Sequence, residues 1–161
     1  MENFTYYAPT KVVSGRDTVE QTGQLARAFG ASKVLVLYGG GSAVKSGLIQ
    51  RVCDTLTAVG LPYALLGGIQ PNPRLSKVYE GIDLGHREKV DFLLAVGGGS
   101  VIDTAKAVGY GMANDFDVWE LYAKRAQAAA CLPIGVVLTI AAAGSEMSNS
   151  SVITRDDGLL K

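Results

Sequence analysis

Phe92-Leu93-Leu94-Ala95-Val96-Gly97-Gly98-Gly99-Ser100-Val101-Ile102-Asp103-Thr104-Ala105-Lys106-Ala107-Val108 decides how the rest of the chain is read. A short apolar run feeds three glycines, and Val101, Ala105 and Val108 then recur at helical spacing. The pattern predicts strand, tight turn, helix. Glycines at such a turn permit positive φ or let a ligand approach the backbone. Ser100 and Asp103 have capping-box spacing, which predicts a helix starting near Ser100. Its first N–H groups, at the positive end of the helix dipole, form a phosphate site. The stretch is neither a full G-x-G-x-x-G, since Ile102 takes the third glycine's place, nor a Walker loop, since no Gly-Lys-Ser/Thr follows. Dinucleotide pyrophosphate is the favoured ligand, though the turn alone also suits a sugar phosphate.

Upstream, Phe4–Val13 holds β-formers and Pro9, suggesting a short N-terminal β-hairpin. A helix is expected from Asp17 to Phe29, with Gly30 as its stop. Lys33–Tyr38 is an unbroken apolar run of the kind buried on both faces of a parallel sheet. Gly39-Gly40-Gly41-Ser42 follows, then a helix over Ala43–Val59. Pro62–Leu66 is a strand, 67–73 an irregular loop with two prolines, and Arg74–Lys89 a helix. Beyond the central turn, 114–119 is a surface segment leading into a short helix over Val118–Lys124. Pro133–Ile140 is a strand, 141–146 a small-residue turn, and Ser150–Thr154 a last short strand. This alternation predicts an α/β, Rossmann-like parallel sheet with helices on both faces. The turns 39–42, 67–73, 97–100 and 139–146 all follow strands, so they can rim one cleft at the sheet's carboxyl edge.

With 161 residues the chain suits one domain. Its formal net charge is zero and it has no basic block, which argues against nucleic acid as a partner. No apolar stretch suffices for a membrane span and no leader precedes the fold, so a cytoplasmic protein is expected. Cys53 and Cys131 lie far apart and are read as buried thiols. His86 sits in a polar helical stretch and is read as a surface residue. One histidine and two distant cysteines do not make a typical zinc or iron site, so no metal or catalytic residue is assigned.

Tyr38-Gly39-Gly40-Gly41-Ser42 with Lys45 and Gly47, Pro71-Asn72-Pro73, Gly97–Lys106 and Gly144-Ser145-Glu146 occur in an order that resembles the iron-containing alcohol dehydrogenases, the NADPH-dependent butanol dehydrogenase branch in particular. The resemblance spans nearly the whole chain and only that family's N-terminal, dinucleotide-binding domain, taken as residues 1–161. It implies that Gly97, Gly98, Gly99 and Ser100 cradle the pyrophosphate, and that Gly39, Gly40, Gly41 and Ser42 face the adenosine ribose. Pro71 and Asn72 would line the cleft, Thr139 and Ile140 would sit against the adenosine, and Asp103 and Lys161 would lie nearer the nicotinamide. NAD-using members carry an aspartate at the end of the first strand. This sequence has glycine there, with Ser42 and Lys45 close by, which favours NADP(H). The family's usual threonine three residues before its Glu is Ala143 here.

The resemblance further implies hydride transfer between NADP(H) and a primary alcohol or aldehyde, with divalent iron or zinc held by an aspartate and three histidines of a helical C-terminal domain. That domain is absent from this sequence, so the chain by itself is expected to bind NADPH weakly and to be inactive. The apolar face that domain would cover points to a homodimer. Two other readings stand beside this one: a stand-alone, non-catalytic nucleotide-binding module, and the same domain of a glycerol-dehydrogenase-like or dehydroquinate-synthase-like enzyme.

Overall fold

Four parallel strands, in the spatial order Tyr63–Ile69, Val34–Gly39, Phe92–Gly97 and Ile134–Leu138, carry helices on both faces. The structure is a computed structural model and describes residues 3, 5 and 7–157. The elements are α1 (Thr22–Ala28), β1 (Val34–Gly39), α2 (Ser42–Lys45), α3 (Leu48–Ala58), β2 (Tyr63–Ile69), α4 (Leu75–Glu88), β3 (Phe92–Gly97), α5 (Gly99–Ala113), α6 (Trp119–Tyr122) and β4 (Ile134–Leu138). A 3-10 turn over Thr18–Gln21 leads into α1, and another spans Ser145–Met147.

The unbroken apolar runs become the central strands because both of their faces are covered. Alternate residues divide between two cores, as a pleated backbone requires. Leu35 and Leu37 of β1, with Leu93 and Ala95 of β3, meet α4 and α5 on what we call the front face. Val34, Val36, Phe92, Leu94 and Val96 meet α1 and α3 on the back. Every residue of β3 is buried. A Leu93→Ala cavity there is expected to cost about 3 kcal/mol, within the range for buried leucines.

Several expectations change. Tyr7 to Ser14 form no strand, and Phe4 and Tyr6 lie outside the described residues. Tyr7 and Val12 are exposed, and a hairpin with no apolar surface beneath it is marginal in water. The helix expected over Ala43–Val59 is two helices, because Gly47 takes φ +75° between α2 and α3. The last strand, Ser150–Thr154, reduces to one bridge between Thr154 and Arg74. Of the two cysteines expected to be buried, Cys53 is, but Cys131 is exposed, in the irregular segment that leads into β4. His86 is exposed, as expected.

Asp91 fastens the entry points of the two central strands. Its carboxylate accepts the Ser32 and Lys33 amides, each at 2.9 Å. Burial pushes its pKa up, but the Lys33 and Ser32 donors outweigh that and hold the carboxyl below the usual aspartate range. A depressed folded-state pKa stabilises the fold above the unfolded value, near pH 4, and the benefit fades as pH falls through the folded value. Asp91→Ala is therefore expected to lose about 1–3 kcal/mol at pH 7. The gap to the parent chain should narrow in acid, as read by urea unfolding across pH.

Candidate functional site

Because all four strands run parallel, the turns after them share one edge of the sheet. From β1 the chain passes outward to β2, then returns to β3 on the other side of β1. The carboxyl ends of β1 and β3 thus flank the topological switch point, where open α/β sheets bind ligands. Tyr38 pairs with Val96 there, so Gly39–Ser42 and Gly97–Ser100 leave the sheet side by side.

The glycine turn is built for close approach rather than for a special backbone. None of Gly97, Gly98 and Gly99 has positive φ. A Cβ on Gly97 would strike Val101, and one on Gly98 would strike Ile140 at 2.7 Å. A Cβ on Gly99 would meet no atom within 4 Å, and the same holds at Gly40, which also lacks positive φ. Nothing within the fold requires glycine at those two positions, and the missing side chains leave the backbone there open to close approach. Helix α5 begins at Gly99 with Gly98 as its N-cap, and no side chain caps it. The Val101 and Ile102 amides turn back to the Gly98 carbonyl. Among the described residues, the amides of Gly99 and Ser100 have no partner in the chain, as the first N–H groups of a helix do. Two donors, the helix dipole and space left by a missing Cβ fit a pyrophosphate.

The capping box is not formed. Asp103 accepts Ser145 Oγ at 2.6 Å and the Val152 amide at 3.1 Å instead, while Thr104 Oγ1 donates to the Ser100 carbonyl at 2.8 Å. The turns divide by face. Gly39–Ser42 lead into α2 and α3 at the back. Pro71–Pro73 lead into α4 at the front, with Asn72 at φ +56°. Thr139 donates its amide to the Gly97 carbonyl at 3.1 Å, and exposed Ile140 lies over Gly98. Gly99 thus lies between Gly39–Ser42, on the back side of the edge, and Pro71–Pro73, on the front. Lys161 lies outside the described residues.

Lys106 received no role from the sequence, although the Asp-x-x-Lys spacing sets it one turn beyond Asp103. It is buried at 6% exposure, and its ammonium donates to oxygens of Ser145, Ser148 and Ser150.

Residues 9–161 match the sequence profile of the iron-containing alcohol dehydrogenases. The chain belongs to the iron-containing alcohol dehydrogenase family. It is 48% identical over 154 residues to the probable NADH-dependent butanol dehydrogenase 2 of Bacillus subtilis, covering 96% of this chain and 39% of that protein. It is 36% identical over 158 residues to the NADPH-dependent aldehyde reductase YqhD of Escherichia coli, covering 96% of this chain and 40% of that protein. The crystal structure of the NADH-dependent butanol dehydrogenase A of Thermotoga maritima superposes with a TM-score of 0.93 at 45% identity, over 96% of this chain and 39% of that one. The chain thus spans about two fifths of the length of these relatives. Among the described residues, no group of three or more His, Cys, Asp and Glu could hold a metal ion. They do not fit the metal in the family's name, and no step is assigned to one. No helix among them is long and apolar enough to cross a membrane.

Proposed function

We propose that this chain is the dinucleotide-binding domain of an oxidoreductase, taking NADP(H) across the carboxyl edge of its sheet for reaction with a primary alcohol or aldehyde. The observation that carries the reading is the vacant Cβ space at Gly99 and Gly40, beside the free amides of Gly99 and Ser100. The names of the Bacillus subtilis and Escherichia coli relatives support the substrate class. When bound, the cofactor supplies or accepts the hydride. The chain's own part is to grip the phosphates at Gly99 and Ser100, hold the adenosine at the back rim beside Ile140, and turn the nicotinamide half toward Asn72 and Asp103. Fixing that half against a front wall limits the poses from which hydride can move.

The preference for the 2′-phosphate form rests on what ends β1. Residues 39–45 read Gly-Gly-Gly-Ser-Ala-Val-Lys and hold no carboxylate, while Ser42 and Lys45 are exposed beside the turn. An aspartate there would bind the ribose hydroxyls and repel a 2′-phosphate. NADPH is accordingly expected to bind at least about tenfold tighter than NADH, the worth of one charge-assisted contact. Gly39→Asp should reverse the order, with the Ile69 carbonyl, 3.2 Å from the added Cβ, giving way by a few tenths of an ångström. Titration of both cofactors against both chains decides it. Tighter NADH binding by the parent chain would overturn the NADP assignment, and binding of neither would overturn the function.

A further inference from the structure

The front flank of α5 carries a polar system that reaches from Asp103 well beyond the cofactor's edge. Lys106, one turn after Asp103, is buried and wholly engaged with the segment that follows β4. Its ammonium donates to the Ser150 carbonyl at 2.7 Å, to Ser145 Oγ at 2.9 Å, to Ser148 Oγ at 3.3 Å and to the Ser145 carbonyl. Burial lowers its pKa, against the opposing pull of Asp103 and Glu146. Asp103 takes the other side of the same segment, through Ser145 Oγ and the Val152 amide. Tyr110 Oη adds a bond to the Asn149 carbonyl at 3.0 Å.

The segment then runs on to the opposite rim. Ile153 is fully buried. The Thr154 amide donates to the Pro73 carbonyl at 2.8 Å, and the Leu75 amide donates to the Thr154 carbonyl at 3.0 Å. Asp156 accepts the Ser76 amide at 3.1 Å, in the first turn of α4. One strap, 145–156, thus joins the helix that bears the phosphate amides to the turn that bears Asn72. Burying a lysine among neutral oxygens is costly unless every donor is used, and here the donors are spent on holding a loop.

We propose that Asp103 and Lys106 are positioning residues that fasten the 145–156 strap, and through it hold the Pro71-Asn72-Pro73 turn in place as the front rim of the cofactor site. The functional consequence rests on the NADP(H) reading; the fastening does not. Removing the fastening loosens a rim that only the nicotinamide half meets. The adenosine half, on the back rim, is untouched.

The experiment uses the 161-residue chain with Lys106→Met, which keeps the apolar stem and removes the donors, and Ser145→Ala, which removes the Oγ that both Lys106 and Asp103 hold, as a second variant should the first fail to fold. Amide hydrogen exchange is followed at Leu75, Ser76 and Thr154, and NADPH and 2′,5′-ADP are titrated. Exchange at those amides, none of which touches Lys106, should rise about tenfold while β1 and β3 stay protected. NADPH should weaken about tenfold and 2′,5′-ADP by less than about twofold. Unchanged exchange at Leu75 and Ser76 would overturn the proposal. Equal weakening of both ligands, or exchange rising throughout the sheet, would overturn it as well, by reducing Lys106 to a general stabiliser. A parent chain that binds neither ligand would sink the cofactor reading, and the exchange data would still decide the fastening.

Discussion

Gly99→Ala is expected to weaken NADPH binding about a hundredfold, near 2.7 kcal/mol, while leaving the fold as stable as before or slightly more so. The two halves of that result come from one geometric fact. The added methyl meets no atom of the chain within 4 Å, and Gly99 is the first residue of α5, without positive φ. Alanine in a helix is favoured over glycine by roughly 0.5–1 kcal/mol. A phosphate oxygen accepting the Gly99 amide would lie against Cα, however, and the methyl would stand in its path. Cofactor fluorescence titration and thermal unfolding read the two effects separately. Unchanged binding would mean that the empty space has no occupant. Loss of binding together with stability would mean that the glycine serves the fold.

Gly23→Ala is expected to do the reverse: it should destabilise the chain by about 3 kcal/mol, the upper part of the range for overpacking. A Cβ there would sit 2.1 Å from the Thr55 carbonyl oxygen and 2.6 Å from its carbon. Backbone cannot yield as a flexible side chain can, so α1 must lift from α3. That motion also stretches the bond from the Gly23 amide to Thr55 Oγ1, now 3.1 Å and buried. Thr55 Oγ1 itself donates to the Val52 carbonyl at 2.7 Å, so its alternatives are few. Chain that remains folded should still bind NADPH normally, because Gly23 meets α3 at Thr55, in its last turns, away from the carboxyl edge of the sheet. Chemical denaturation gives the stability change, and a loss below about 1 kcal/mol would show that the helices separate easily.

The central architecture was legible because it is local. The runs 33–38 and 92–96 have the composition of strands buried on both faces, and the glycines after them mark the turns at the sheet's carboxyl edge. Ser100 and Asp103 show where local reading stops. Their spacing suits a capping box, yet Asp103 has partners at Ser145 and Val152, more than forty residues away. A carboxylate offered two long-range donors need not serve its own helix. Gly47 is the same lesson in a loop: helical periodicity runs through it, but its positive φ separates α2 from α3. The strap 145–156 is almost irregular, so neither a period of two nor one of 3.6 announces it. Only Lys106, a charged residue among Ala105, Ala107 and Val108, signals that something polar must meet it in the interior.

The most direct test of the phosphate-binding turn is the response of individual backbone amides to NADPH in the isotope-labelled chain. The expected result is large, saturable shifts at Gly99 and Ser100, downfield as charge-assisted hydrogen bonds form. Weaker shifts should appear at Gly39–Ser42 and at Asn72. Saturable binding that leaves Gly99 and Ser100 unmoved, with the shifts confined to another surface, would contradict it.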